Sequence, residues 1–135
     1  MKKILITGAG SYLGGSFERY LQQWPERYQA DTVDMVDGSW REKSFSGYDS
    51  VYHVAGIAHS DHGKLSEAQT QLYYRVNRDL AIETAEKAKK DGVKQFIFMS
   101  SVIVYGESAP IGHNKIITRN TPVAPYNAYS DSKYQ

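Results

Sequence analysis

Short apolar runs alternate with longer stretches of helical period along this chain. Lys3-Ile4-Leu5-Ile6-Thr7 is a β-branched run stopped by Gly8, the pattern of a buried strand. Tyr12 to Gln23 follows, with Leu13, Phe17, Tyr20, Leu21 and Trp24 on one helical face, and Pro25 ends the stretch. A second strand is expected within Asp31–Asp37, and a third over Ser50–Ala55, stopped by Gly56. The longest element is predicted from about Ser66 to Lys90. Ser66 and Gln69 have capping-box spacing, Leu72, Val76, Leu80, Thr84 and Ala88 form a stripe every four residues, and Gly92 is placed as a C-cap. Gln95–Ser100 reads as a fourth strand. A loop with Pro110, Pro122 and Pro125 follows, and Asn127–Gln135 opens a last helix.

Strands separated by helix-length crossovers imply a parallel sheet with helices on both faces, an α/β doubly wound architecture. At 135 residues the chain can bury one core and is too short for two ordinary domains. Hydrophobic residues at 41% and charged residues at 23% place it among globular proteins. Sixteen Lys plus Arg against fifteen Asp plus Glu leave a formal charge of +1, which removes the electrostatic case for a nucleic-acid binder or a polybasic membrane-surface protein. No apolar run approaches the ~20 residues of a membrane span. Met1-Lys2-Lys3 leads into only four apolar or small residues before the first glycine, which is not a signal-peptide pattern. The absence of cysteine excludes disulfide and thiolate chemistry and fits a cytoplasmic location.

The candidate chemistry starts at Thr7-Gly8-Ala9-Gly10-Ser11-Tyr12-Leu13-Gly14, on the first strand-to-helix turn. Glycines there let the chain turn sharply, let backbone N–H groups approach a pyrophosphate, and let the helix pack close to the strand. The spacing of Gly8, Gly10 and Gly14 matches neither G-x-G-x-x-G nor G-x-x-G-x-x-G without one exception. A carboxylate roughly 20 residues further on should bond the adenosine ribose. Asp34 lies 20 residues after Gly14 and is the choice; Asp37, 23 residues after, either caps the next turn or approaches the adenine. An acid at this place favours NAD over NADP, although Arg41 and Lys43 follow closely.

These residues, with His53-Val54-Ala55-Gly56, Ser100-Ser101-Val102-Ile103-Val104-Tyr105-Gly106 and Tyr129-Ser130-Asp131-Ser132-Lys133, resemble the ordered motifs of the extended short-chain dehydrogenase/reductases. The likeness is closest to the NAD-dependent epimerase/dehydratase branch that acts on nucleotide sugars, and it covers essentially the whole chain. It implies a Rossmann-type cofactor domain that binds NAD through Gly8, Gly10, Ser11, Tyr12, Leu13, Gly14, Asp34, Ala55 and Gly56. It also implies a catalytic trio of Ser101, Tyr129 and Lys133, the last two reaching the cofactor as well. Residues at i and i+4 share a helix face, so Tyr129 and Lys133 can both point at one site. A nearby ammonium stabilises a phenolate that would otherwise form only near pH 10. Tyr129 would take a proton from a substrate hydroxyl whose oxygen Ser101 holds. His53 matches a buried core histidine, and Asn77 a positioning residue on the long helix. His59, Asp61 and His62 have no spaced ligand set beside them and read as loop polarity, with no metal expected.

Three features depart from the family pattern. Ser11 stands where the family has its middle glycine. Only eleven residues separate Asp37 from Asp49, so one crossover must be shortened and the sheet edge beyond Asp34 is expected to be missing. Val102 and Ile103 stand where sugar 4,6-dehydratases carry an Asp-Glu pair, which argues against water elimination. Epimerisation through a transient ketone remains, with simple dehydrogenation or reduction, or a non-catalytic NAD-binding module, as alternatives. The chain stops within the helix that carries Tyr129 and Lys133. The resemblance therefore implies an incomplete cofactor domain, a substrate domain of ~150 further residues, and a homodimer through the long and terminal helices.

Overall fold

The computed structural model describes residues 1–58 and 64–135. They form strands β1 (Lys2–Thr7), β2 (Tyr28–Val33), β3 (Ser50–His53) and β4 (Gln95–Phe98), with helices α1 (Tyr12–Leu21), α2 (Glu67–Tyr74), α3 (Leu80–Lys90) and α4 (Ala128–Tyr134). Short 3-10 turns lie at Ser39–Arg41 and Val102–Tyr105, and a π turn, Arg75–Asp79, joins α2 to α3. Two compact units result. One holds Met1–Gly56 and Asp79–Met99, the other Ile57–Arg78 and Ser100–Gln135.

The first unit is a four-stranded parallel sheet of order β2-β1-β3-β4, the α/β class read from the alternation of elements. Period-two alternation splits β1 between two cores. Ile4 and Ile6 join Leu21 and Val54 on the α1 side, while Leu5 joins Val33, Trp40, Phe45, Val51 and Ala88 on the α3 side. Thr7 pairs with Val33 on one flank and His53 on the other, so the carboxyl ends of β1, β2 and β3 align. The chain leaves β1 toward β2 and returns for β3 on the opposite side. That creates a switch point between β1 and β3, where α/β sheets hold ligands.

Several boundaries differ from the sequence expectation, each for a visible reason. The second strand runs earlier, over Tyr28–Val33. It stops because the Asp34 carboxylate accepts the Val36 N–H at 2.9 Å, turning the chain so that Met35 is buried and Val36 is 91% exposed. The third strand ends at His53, two residues before Ala55, because Thr7 Oγ1 takes the N–H groups of Val54 and Ala55. The fourth ends at Phe98, two residues before Ser100. On α1, Leu21 is buried and Phe17 packs edge-on to Tyr52, whereas Leu13 and Tyr20 are exposed. The shortened crossover is present: between β2 and β3 the only regular element is Ser39–Arg41, and β2 is a sheet edge among the described residues.

The long helical stretch starts as expected, with the Ser66/Gln69 capping box. It ends in a Schellman arrangement in which Gly92 N–H donates to Lys89 and Val93 N–H to Ala88. Its early stripe is shifted by one residue. A four-residue repeat drifts by about 40° per step on a 3.6-residue helix, so Leu72 falls outside and Tyr73 and Asn77 are buried instead.

Beyond this helix end, Asp91 bridges back to the crossover. It accepts the Phe45 N–H at 2.7 Å and lies 3.4 Å from Lys87 Nζ. The Phe45 bond, with the Lys87 charge assisting against some burial, holds its carboxyl below the usual value of 3.8. The unfolded chain therefore binds the proton more readily. This contribution to stability is complete above the unfolded pKa and disappears as pH falls through the folded one. Thermal melts of wild type and Asp91→Asn should differ most above about pH 4 and converge on acidification.

Candidate active site

Apart from Tyr129 and Lys133, the residues assigned to the cofactor lie in the first unit, at the carboxyl ends of β1, β2 and β3. Gly8 and Gly10 both take left-handed backbone conformations, φ +79° and +75°. Gly8 N–H donates to Val33 O at 3.0 Å, which folds the loop over the end of β2. A Cβ on Gly8 would meet the Ala55 backbone at 3.3 Å, whereas one on Gly10 would meet nothing within 4 Å. Gly8 thus serves the approach of loop to strand, and Gly10 leaves an open face. Alanine at Gly10 should cost the left-handed strain alone, about 1–2 kcal/mol. Alanine at Gly8 adds the backbone contact, so calorimetry should rank Gly8→Ala below Gly10→Ala in melting temperature.

Ser11, the exception to the glycine pattern, has φ −72° and needs no glycine. It is the N-cap of α1: its Oγ accepts the Gly14 N–H at 3.1 Å. Gly14 is required for a different reason, since a Cβ there would sit 2.8 Å from Ser11 Oγ and 3.3 Å from Gly8 O. The N–H groups of Tyr12 and Leu13 belong to the first helical turn, which has no intrahelical acceptors, so they are available to an anion. Their side chains are exposed, Tyr12 at 83%. Asp34 is the first residue past β2, and its Oδ1 is engaged by Val36. Asp37 Oδ1 accepts both the N–H and the hydroxyl of Ser39, at 2.9 and 2.7 Å, and these bonds lower its pKa. Asp37 thus bonds the first residue of the Ser39–Arg41 turn. Ala55 is buried and Gly56 exposed where the chain leaves β3.

Thr7 organises this end of the sheet, and the sequence reading assigned it no role beyond its strand. It is fully buried, and its Oγ1 lies 3.2 Å from the N atoms of Val54 and Ala55 and 3.0 Å from His53 Nδ1. With two N–H groups donated to it, the hydroxyl gives its own proton to Nδ1, which sets the His53 tautomer. The signal was present, as a hydroxyl closing an otherwise apolar strand. His53 is itself fully buried and stacks against Phe96 and Phe98, a core residue as expected.

The second unit holds Ser101, Tyr129 and Lys133. Ser101 caps the Val102–Tyr105 turn, its Oγ accepting the Ile103 N–H at 3.3 Å. Helix α4 packs against that turn and against α2. Asn127 opens α4 with a capping box: its Oδ1 accepts the Ser130 N–H at 2.8 Å and Ser130 Oγ accepts the Asn127 N–H at 3.0 Å. One helical turn separates Tyr129 from Lys133. The Tyr129 ring lies 6.3 Å from that of Tyr73, and burial lowers the Lys133 pKa. Asn77 is buried and clamps Ile57, accepting its N–H and donating to its carbonyl, both at 2.9 Å. Tyr74 OH donates to Asp131 at 2.7 Å and links α2 to α4. His59, Asp61 and His62 lie outside the described residues. Among the described residues no cluster of three or more potential ligands could hold a metal ion, and no helix is long and apolar enough to cross a membrane.

The chain is similar to several known proteins. A 4-epimerase of Escherichia coli O157:H7 that acts on N-acetyl-glucosaminyl-diphospho-undecaprenol is 34% identical over 102 residues, 76% of this chain and 28% of the relative. The UDP-glucose 4-epimerase of Erwinia amylovora is 32% identical over 98 residues, 69% of this chain and 27% of that one. An NAD-bound short-chain dehydrogenase/reductase superfamily structure from Agrobacterium tumefaciens superposes with TM-score 0.78 at 21% identity, covering 98% of this chain and 42% of that one. At that identity the likeness is one of fold. The matched stretches span less than a third of these curated relatives and less than half of the solved chain. A glycine loop on the first crossover, a capped turn at Ser101 and a Tyr-Lys helix turn occur in one order, and residues 4–135 match a single family description: the chain belongs to the NAD dependent epimerase/dehydratase family.

Proposed function

We propose that this chain is the cofactor-binding, N-terminal part of a longer NAD-dependent 4-epimerase of diphosphate-linked sugars, nucleotide sugars first among them. The observation that carries this reading is the second unit's layout: Tyr129 and Lys133 one turn apart on a capped helix packed against the turn that Ser101 caps. A binding module has no need of that trio. The first unit fits a dinucleotide. Gly10 leaves open space, the first-turn N–H groups of Tyr12 and Leu13 suit a pyrophosphate, Asp34 stands at the end of β2, and Ala55 and Gly56 pass along the same edge. Bound NAD supplies a reversible hydride acceptor.

The chain's own residues handle the proton. Tyr129 removes it from the sugar hydroxyl and later returns it, Lys133 stabilises the phenolate, and Ser101 keeps its O–H to hold the substrate oxygen. Val102 and Ile103, which follow Ser101, have no ionisable group for water elimination. Carbon 4 and the UDP carrier are suggested by the relatives' names, and the Escherichia coli relative favours a second carrier, a polyprenyl diphosphate. The exposed Leu72 and Tyr134 support self-association through the long and terminal helices. The lack of cysteine fits the cytoplasm.

The test is the full-length protein with NAD and a panel of UDP-sugars and polyprenyl-diphospho-sugars, with products separated by chromatography. A 4-epimer without NADH accumulation is expected. Stoichiometric NADH would make it a dehydrogenase, and NAD binding with no turnover would make it a binding module.

A further inference from the structure

Ser132 is buried between the two residues assigned to proton transfer, at 1% exposure. Its hydroxyl is used on both sides. Oγ accepts from Asn77 Nδ2 at 3.1 Å and donates to the carbonyl of Tyr129 at 2.9 Å. The Asn77 amide cannot swivel, because Oδ1 and one Nδ2 hydrogen are fixed on the two backbone groups of Ile57. Its second Nδ2 hydrogen therefore points in one direction, and that direction locates Ser132 Oγ. Asn77 itself sits in the π turn Arg75–Asp79, a form of helix frequent at functional sites.

The acceptor carbonyl is the informative part. In an α-helix the carbonyl of residue 129 also receives the N–H of residue 133. Ser132 thus bonds the one backbone group that joins Tyr129 to Lys133. A hydroxyl bonded back to a carbonyl one turn earlier bends a helix and sets the local angle between turns. We propose that Ser132 is a positioning residue: through the Asn77 clamp it fixes the helical turn that aims Tyr129 and Lys133 together. The inference rests on the catalytic reading of that pair.

The experiment uses the full-length protein with Ser132→Ala, Ser132→Thr and Ser132→Val. Thr and Val have the same bulk and differ by the hydroxyl. Ser132→Ala and Ser132→Val are expected to lower kcat by about 10- to 100-fold, the scale of a small misplacement, with KM and NAD affinity little changed. Ser132→Thr should recover most of kcat. Equal kcat for Thr and Val, or wild-type kcat for Ala, would overturn the proposal. If Thr and Val variants fail to fold by circular dichroism, the Ala variant decides alone. Amide hydrogen exchange at Lys133 gives a readout free of activity. Exchange faster in Ser132→Val than in Ser132→Thr supports the link, and equal rates overturn it. A wild-type protein that turns over no sugar defeats the catalytic reading, and the exchange comparison still decides whether Ser132 holds the turn.

Discussion

Replacing Tyr129 with Phe in the full-length protein is expected to lower turnover by about 10²- to 10⁴-fold, the usual contribution of a positioned acid–base group, while NAD affinity stays at its wild-type level. The ring remains, so its packing near Tyr73 is kept, and α4 keeps its Asn127 cap. Only the phenolic oxygen is lost. Steady-state kinetics alongside a calorimetric NAD titration separates the two effects. Equal loss of binding and turnover would mean that Tyr129 acts through the cofactor site. Unchanged turnover would remove it from the chemistry altogether.

The largest effect on stability is expected at Thr7. Thr7→Val preserves shape and removes one hydroxyl, yet that oxygen is the acceptor for the N–H groups of Val54 and Ala55 and the partner of His53 Nδ1. Each buried donor left without an acceptor costs about 1–3 kcal/mol. With two such donors the substitution should cost about 2–6 kcal/mol, a large share of a typical folding free energy. Urea denaturation should show the midpoint fall with little change in slope. Because the same bonds end β3 and set the path of Ala55 and Gly56, NAD affinity should fall as well. A neutral Thr7→Val would contradict the role given to this hydroxyl.

The legible parts of the molecule were those with a local cause. A β-branched run stopped by glycine marked β1, the Ser66/Gln69 spacing marked the start of α2, and Gly92 marked the end of α3. The short Asp37-to-Asp49 interval announced the shortened crossover and, among the described residues, the β2 edge. What stayed hidden depended on partners distant in sequence. Nothing near Ala55 shows that β3 stops at His53, because the group that stops it is Thr7, forty-eight positions away. The one-residue shift of the buried line on α2 follows from helical drift and from Asn77 reaching Ile57 and Ser132. Ser11 looked like a flaw in the glycine pattern because the pattern counts residue types. The structure shows a side chain capping Gly14, at an ordinary φ.

In the proposed reaction a hydride would leave the sugar carbon and return to it, with Tyr129 handling only the hydroxyl proton. The most direct measurement is therefore incubation of the full-length protein and NAD with UDP-glucose deuterated at carbon 4, followed by mass spectrometry of the separated sugars. A 4-epimer that keeps its deuterium is expected. Deuterium exchanged into water, or deuterium accumulating in released NADH with no epimer formed, would contradict it.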